Sequence, residues 1–148
     1  MTVSISIDIK GLEKVALALK DLSNKVLREA YWELYRVSQD TIVPNVKKHI
    51  KRIDLWDSGD LYNSIDSTPV GFGKYKNRQI LVHDGVPYGK YHELGFHFSK
   101  EFAEHAAWGK GMPELEGKYM RNPFLRPGTY KSVPIIRRRL ENVIKKNL

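Results

Sequence analysis

The chain has 148 residues, of which 41% are hydrophobic and 28% charged, values typical of a soluble globular protein. We therefore predict a single domain over residues 1–148. The absence of cysteine excludes disulfides, thiolate catalysis and cysteine-ligated zinc, and fits a protein made and used in a cytoplasm. No apolar run approaches the roughly 20 residues that span a membrane, and residues 1–10 lack a signal-peptide pattern, so no membrane association is expected.

The net charge of +8 comes from 25 lysines and arginines against 17 acidic residues. A basic surface attracts polyanions by Coulomb attraction and counterion release, without any sequence code. Nucleic acid is therefore a candidate partner. The alternative is that the lysine-rich helices are simply solvated.

The first part of the chain predicts one strand followed by two helices. Residues 3–9 alternate between β-branched and polar side chains, which indicates a half-buried strand. A short helix is predicted over Leu12–Leu22 and a long helix over about Asn24–Arg52, because their apolar residues recur three or four apart. Pro44 lies inside the long helix, where its missing N–H and its ring predict a kink.

The middle of the chain predicts a short helix and a hairpin. The short helix covers Asp60–Ile65, and the two strands cover Asp66–Phe72 and Gln79–His83 with a turn at residues 74–77. Pro69 cannot donate a ladder hydrogen bond, so its strand should lie at the edge of the sheet or bulge.

Regular periodicity disappears between residues 96 and 121, and a loop this long in a small domain is usually functional or mobile. Its apolar side chains are too many for a solvated loop, so we interpret it as a protruding arm that packs on a neighbouring subunit. The candidate interface residues are Phe96, Phe98, Phe102, Trp108, Leu115 and Tyr119.

The chain ends with a helix predicted over about Ser132–Asn147, with Pro134 tolerable in its first turn. Its predicted buried face is formed by Val133, Ile136, Leu140, Val143 and Ile144. Its basic residues are candidates for facing DNA or an acidic partner, namely Arg137, Arg138, Arg139, Lys145 and Lys146. Taken together, the elements predict an α+β domain: a small, mostly antiparallel sheet packed against a long kinked helix, with a C-terminal helix and a long extended arm.

The sequence offers little that would support catalysis. His92 and His97 flank a glutamate, but they are five residues apart, whereas a helical zinc-protease motif needs four. Residues five apart on a helix are rotated by roughly 140°, so the two rings cannot easily share an ion. We therefore predict no metal, no cofactor and no enzyme. A metal-dependent hydrolase remains an alternative that bound stoichiometric metal would revive. Lys74–Lys76 or Lys118–Tyr119 could hold single-stranded nucleic acid by stacking, but we favour a solvated turn and an interface aromatic for these residues.

Three short segments carry a family resemblance when they are read in order: Ser58–Ile65 (SGDLYNSI), Val86–Gly95 (VPYGKYHELG) and Asn122–Pro127 (NPFLRP). They resemble the neck and tail-completion proteins of lambdoid and related tailed bacteriophages, also labelled minor tail components. An upstream Gly-Leu before a long basic helix is similar too, at Gly11-Leu12. The chain departs from the family pattern in four places, with Ser58 for threonine, Gly89 for alanine, Phe96 for threonine and Gly128 for alanine.

The residues that match these motifs read as structural. They are Gly59, Leu61, Ser64, Ile65, Tyr88, Tyr91, Glu93, Gly95, Pro123, Phe124, Leu125, Arg126 and Pro127. Gly59 permits a tight helix entry, and Leu61 and Ile65 fall on one helical face.

Further interpretations concern the second and third motifs. Tyr88 and Tyr91 are expected to bury their rings while their hydroxyls stay hydrogen-bonded. Glu93 is expected to pair with Arg126. An extended segment between Pro123 and Pro127 should place Phe124 in the core before the last helix.

The resemblance implies a structural virion protein at the head–tail joint, made in the host cytoplasm. Such a protein forms a ring, with a hexamer favoured, around DNA that passes without sequence specificity. Its implied neighbours are the head-closure or connector proteins and the tail-tube or terminator proteins. The alternatives are a tail-tube terminator ring and a basic, non-catalytic nucleic-acid-binding domain.

Overall fold

The computed structural model describes residues 4–8, 24–55, 59–71, 79–97, 99 and 116–148. The strands are β1 Ser4–Asp8, β2 Asp66–Val70, β3 Gln79–His83, β4 Phe96–His97 and β5 Tyr119–Met120. The helices are α1 Asn24–Val37, α2 Val43–Arg52, α3 Asp60–Ser64, α4 Gly89–Leu94 and α5 Leu125–Asn147, with a π-helical turn Ser38–Ile42 between α1 and α2. The helix predicted over Leu12–Leu22, the turn at 74–77, Ser58, Phe98, Phe102, Trp108 and Leu115 lie outside the described residues.

The main sheet has three antiparallel strands in the order β1-β3-β2. Alternation along β3 buries Ile80 and Val82, which therefore face the helical layer. Pro69 lies on β2 opposite Ile80, and β2 is an edge strand, as its missing N–H predicted. The predicted α+β class, with a small antiparallel sheet, is confirmed.

The long helix is confirmed as a kinked, 29-residue unit made of α1, the π-helical turn and α2. Pro44 explains the distortion, because it has no N–H to give the carbonyl of Asp40 and its ring would clash there. The turn before it widens instead, and the N–H of Val43 donates to the carbonyl of Ser38, five residues back. The irregularity therefore begins one turn ahead of the proline.

Two neighbouring clusters form the core, both beneath the long helix. One joins α2, α3, β3 and the start of α5, and it contains Ile42, Val43, Val46, Ile50, Leu61, Ile65, Val82, Phe124 and Leu125. The other lies around α1 and contains Tyr31, Leu34, Val37 and Ile80, with Trp32, Tyr35, Ile135, Ile136 and Leu140 packed against it. The terminal helix α5 thus contributes to both clusters.

The prediction for the terminal helix was wrong at its start. Helix α5 begins at Leu125, so Pro134 lies in its interior and the segment Leu125–Pro127 is helical instead of extended. The predicted burial of Phe124 is confirmed. Helix α5 starts earlier than predicted because a side chain from α4 binds its first backbone amides, and the local sequence pattern does not show this contact.

The predicted buried face of this helix needs correction as well. Val133 is 43% exposed, whereas Ile136 and Leu140 of the predicted face are partly buried against the core. The buried positions of α5 are Leu125, Gly128, Thr129 and Ser132. The face turns in this way because α5 approaches α2 through Gly128, where a Cβ would lie 2.5 Å from the Cα of Val46. Asn45 then donates to the hydroxyl of Ser132 at 2.9 Å across the same contact.

None of the described helices is long and apolar enough to cross a membrane.

Candidate functional site

A buried carboxylate joins the second motif to the third. Glu93 on α4 is 1% exposed, and its Oε2 accepts the backbone N–H groups of Phe124 at 2.8 Å and Leu125 at 2.9 Å. Its Oε1 accepts the N–H of Arg126 at 3.2 Å. The first amides of a helix have no intrahelical acceptor, and negative charge is favoured there. We call this arrangement, Glu93 with the amides of residues 124–126, the Glu93 latch.

The predicted pairing of Glu93 with Arg126 is present only at its outer limit. The Nε of Arg126 lies 3.9 Å from Oε1, and the arginine side chain is 54% exposed, so this contact is weak. The link between the two motifs is therefore confirmed, but backbone amides make it. The sequence did not predict these backbone contacts, because every residue except proline has an amide N–H. The residue type therefore does not indicate which amide needs an acceptor.

The backbone of α4 also binds the chain near the end of segment 96–121, the predicted arm. Nε of Arg121 donates to the carbonyl of Glu93 at 3.1 Å, and the N–H of Asn122 donates to the carbonyl of His92 at 3.0 Å. Strands β4 and β5 pair next to these bonds, with Phe96 opposite Met120. One short helix thus anchors both the base of the arm and the start of α5.

The first motif packs into the same region. Gly59 adopts a left-handed φ of 85° immediately before α3, which favours glycine as predicted. Leu61 and Ile65 are buried in the cluster that contains Phe124, although Ile65 follows the helix instead of lying within it. The Ser64 hydroxyl donates to the carbonyl of Leu61 at 2.9 Å. All three motifs therefore meet in one core.

A second buried carboxylate accounts for the glycine at position 89. Asp84 is 1% exposed, and an added Cβ at Gly89 would lie 2.6–2.8 Å from its carboxyl atoms. Its Oδ1 accepts the N–H of Val86 at 3.2 Å, while Oδ2 has no hydrogen-bond partner among the described residues. Burial raises the pKa of Asp84, and the charge of nearby Glu93 adds to the shift. Glycine at 89 makes room for this carboxylate.

Because the folded protein raises the pKa of Asp84, this residue favours folding at low pH, and that contribution is lost as pH rises above the unfolded value of 3.8. We expect Asp84→Asn to raise the free energy of unfolding at pH 7 by about 1 kcal/mol, because the neutral amide has no charge to be desolvated by burial. The gain should shrink at pH 4. Urea denaturation at both values measures it, with exposed Asp54→Asn as control; an equal effect at both pH values would contradict the expectation.

The expected burial of two motif tyrosines was wrong. Tyr88 is 40% exposed and Tyr91 is 47% exposed. The reason is geometric: α4 turns Gly89 and Glu93, four apart, toward the core, which leaves Tyr88 and Tyr91 on the outer side. The Nζ of Lys90 lies 4.9 Å from the centre of the Tyr91 ring.

Exposed apolar side chains gather at the base of the arm. Leu94 is 57% exposed and Tyr119 is 55% exposed, and the rings of Tyr91 and Phe96 meet edge to face with centres 5.7 Å apart. The hydroxyl of Tyr119 donates to the carbonyl of Leu94 at 3.1 Å and passes over Gly95, whose φ is 90°. We call Tyr91, Leu94, Phe96 and Tyr119 the ribbon-base surface. It brings together two predicted interface residues, Phe96 and Tyr119.

The predicted outward role of Arg139 was wrong. Its Nε lies 2.6 Å from Oε1 of Glu33, and its Nη1 lies 2.6 Å from Oδ2 of Asp40, so it joins α5 to the long helix. Burial alone would raise the pKa of Asp40, but hydrogen bonds from Arg139 and Thr41 lower it overall. The other candidates are exposed and form no ion pair with any described residue, namely Arg137, Arg138, Lys145 and Lys146.

Replacement of Arg139 should therefore affect stability more than replacement of its neighbour Arg138. We expect Arg139→Ala to lower the free energy of unfolding by about 1 kcal/mol, because a partly exposed ion-pair network is worth that order and is screened by salt. Arg138→Ala, at an exposed position, should have almost no effect. Denaturation at low and high salt checks both variants, and equal losses would show that the Arg139 network contributes nothing.

No three histidine, aspartate or glutamate side chains converge as a metal site within the part of the chain that the structure describes. His92 lies on α4 and His97 on β4, and burial lowers the pKa of His92. Comparison with protein-family models, curated proteins and solved structures finds no match to this chain. The described residues thus present a buried latch, an exposed aromatic surface and an exposed basic helix face.

Proposed function

We propose that this chain is a structural virion protein of a tailed bacteriophage, acting at the head–tail joint as a neck or tail-completion protein. The observation that carries the proposal is the Glu93 latch. The motifs that resemble the family meet there, because Glu93 of the second binds the backbone of the third. Leu61 and Ile65 of the first pack against the same segment. Family-like residues used in this way support a non-catalytic role.

Self-assembly into a ring is part of the proposal, with a hexamer favoured. The ribbon-base surface supports it, since clustered exposed aromatic and leucine side chains often mark interaction sites. A ring needs a heterologous interface, in which one face of a subunit docks on a different face of its neighbour. The arm and the ribbon-base surface would supply one of those faces.

The proposed partners lie above and below this ring. They are the head-closure or connector proteins on one side and the tail-tube or terminator proteins on the other, with DNA crossing the channel without sequence specificity. The exposed cations of α5 support contact with a polyanion or an acidic protein. The protein would be made in the host cytoplasm and reside in the virion.

Protein content of purified particles tests this role. Mass spectrometry of infectious particles from the source phage should find the chain in a fixed, small copy number. Immunogold labelling should mark the joint between head and tail. Absence from infectious particles would contradict the proposal.

One observation favours a second candidate, a basic nucleic-acid-binding domain with no ring role. The Nζ atoms of Lys47 and Lys51 lie 5.3 Å and 4.7 Å from the centre of the Tyr62 ring, which combines cations with an aromatic face. Such groupings bind single strands by charge and stacking. Strong, salt-dependent DNA binding by a monomer would favour this candidate. Lys47→Ala/Lys51→Ala should then weaken the binding.

A further inference from the structure

The outward side of α5 carries an unusual mixture of side chains. Tyr130, Val133, Arg137, Arg138 and Glu141 recur at helical spacing and therefore share one face. Tyr130 is 69% exposed and Val133 is 43% exposed, although both are apolar in character. Around Pro134 the last four of these five residues line a shallow depression. We call the five residues the outer stripe.

Pro134 gives the outer stripe an additional acceptor. A helical carbonyl normally receives the N–H of the residue four positions later, and proline has none to give to Tyr130. The Tyr130 carbonyl therefore lacks its usual intrahelical bond. A partner that contacts the outer stripe can donate to it.

The charges of the outer stripe select the kind of partner. Arg137 and Arg138 have no ion pair with described residues, and Glu141 is the one acid in the stripe. Two outer stripes placed face to face would oppose their arginines, which disfavours a symmetric contact. DNA would satisfy the arginines but would leave Tyr130 and Val133 without apolar contacts, since phosphates dominate such interfaces. An acidic protein segment that also carries apolar side chains fits best.

The chain itself contains such a segment within the arm. Residues 98–116 hold four glutamates against two lysines, in a protein whose net charge is +8. The same residues include Phe98, Phe102 and Trp108. The outer stripe is exposed, with Tyr130 and Val133 open to contact, so a second molecule can bind it.

We infer that the outer stripe of one copy binds the acidic, aromatic arm segment 98–116 of a second copy. This contact joins two different faces, so it repeats head to tail and generates a ring when the rotation closes. The inference rests on the proposed self-assembly and names its interface. It also gives Arg137 and Arg138 a protein partner in place of DNA.

Cysteine cross-linking tests the contact, because the natural chain has no cysteine. Ala106→Cys in the arm is mixed with Glu141→Cys in the outer stripe, so a mixed disulfide can join only two different copies. In the control, Lys48→Cys, at an exposed position on α2, replaces Glu141→Cys. We expect the mixed dimer to form at least about tenfold faster with Glu141→Cys than with Lys48→Cys. Equal rates for the two pairs would overturn the inference.

A charge exchange provides a second, independent readout. Arg137→Glu/Arg138→Glu should weaken self-association by roughly tenfold or more, because like charges then oppose each other. Adding Glu101→Arg/Glu104→Arg in the same chain should restore it. If self-association is lost and the second pair of changes does not restore it, the contact is overturned. The contact is also overturned if Arg137→Glu/Arg138→Glu lowers DNA binding but leaves the cross-linking rate unaltered. If particles contain the protein but the cysteine pair shows no preference, the interface is wrong and the proposed function stands.

Discussion

Replacing Glu93 with alanine is expected to lower the free energy of unfolding by about 3–5 kcal/mol. The carboxylate accepts three backbone N–H groups at the start of α5. Each buried donor left without an acceptor costs about 1–3 kcal/mol, and the removed side chain also leaves a cavity. Urea denaturation followed by circular dichroism measures the loss, and hydrogen exchange should increase at residues 124–126.

Two variants show whether the carboxylate itself matters. Glu93→Gln preserves the volume but presents one oxygen and one NH₂, so at least one amide loses its acceptor and an intermediate loss is expected. Glu116→Ala removes an exposed glutamate and should change the free energy of unfolding by less than about 0.5 kcal/mol. A Glu93→Ala loss below about 1 kcal/mol, comparable to one ordinary hydrogen bond, would contradict the latch.

Replacing Gly128 with alanine is expected to lower the free energy of unfolding by about 1–2 kcal/mol. The new Cβ would lie 2.5 Å from Cα, 2.6 Å from Cγ2 and 2.8 Å from N of Val46, so the backbone of α2 would have to move. Overpacking of this kind costs about 1–3 kcal/mol, whereas alanine ordinarily stabilises a helix by up to about 1 kcal/mol relative to glycine. Here the steric cost should exceed the gain in helix propensity.

Asn142→Ala is the matched control for helix propensity, because Asn142 is exposed on the same helix. It should be neutral or slightly stabilising. Thermal and urea denaturation of both variants give the comparison. Equal or greater stability of Gly128→Ala would show that α5 can move away from α2 freely, and the close helix contact would then have no energetic role.

The regular elements were predictable where side-chain pattern alone decides the structure. The long helix was predicted over Asn24–Arg52, and α1 begins at Asn24 while α2 ends at Arg52. Period-two alternation predicted the first strand, and Pro69 predicted an edge position. In each case the relevant signal lies in neighbouring residues.

The errors share a different origin, because they depend on contacts between distant segments. Nothing near Leu125 predicts a helix start, since the acceptor for its amide lies 32 residues earlier on Glu93. Arg139 could not be distinguished from Arg137 and Arg138 before α5 was placed against Glu33 and Asp40. The orientation of α4 likewise decided that Tyr91 faces outward.

The candidate site was partly predictable. The motifs predicted that Glu93 would join the second segment to the third, and the structure confirms a link, through backbone amides instead of Arg126. Gly89 and Gly128 entered only as departures from a family pattern. The structure shows why glycine is present at both positions, because Gly89 leaves room for Asp84 and Gly128 leaves room for Val46.

Electron microscopy of particles from the source phage or prophage with this gene deleted tests the central claim most directly. A joining role predicts filled heads beside separate tails of normal length. Overlong tails would instead identify the protein as the terminator of the tail tube. Complete, infectious particles would contradict a structural role in the virion.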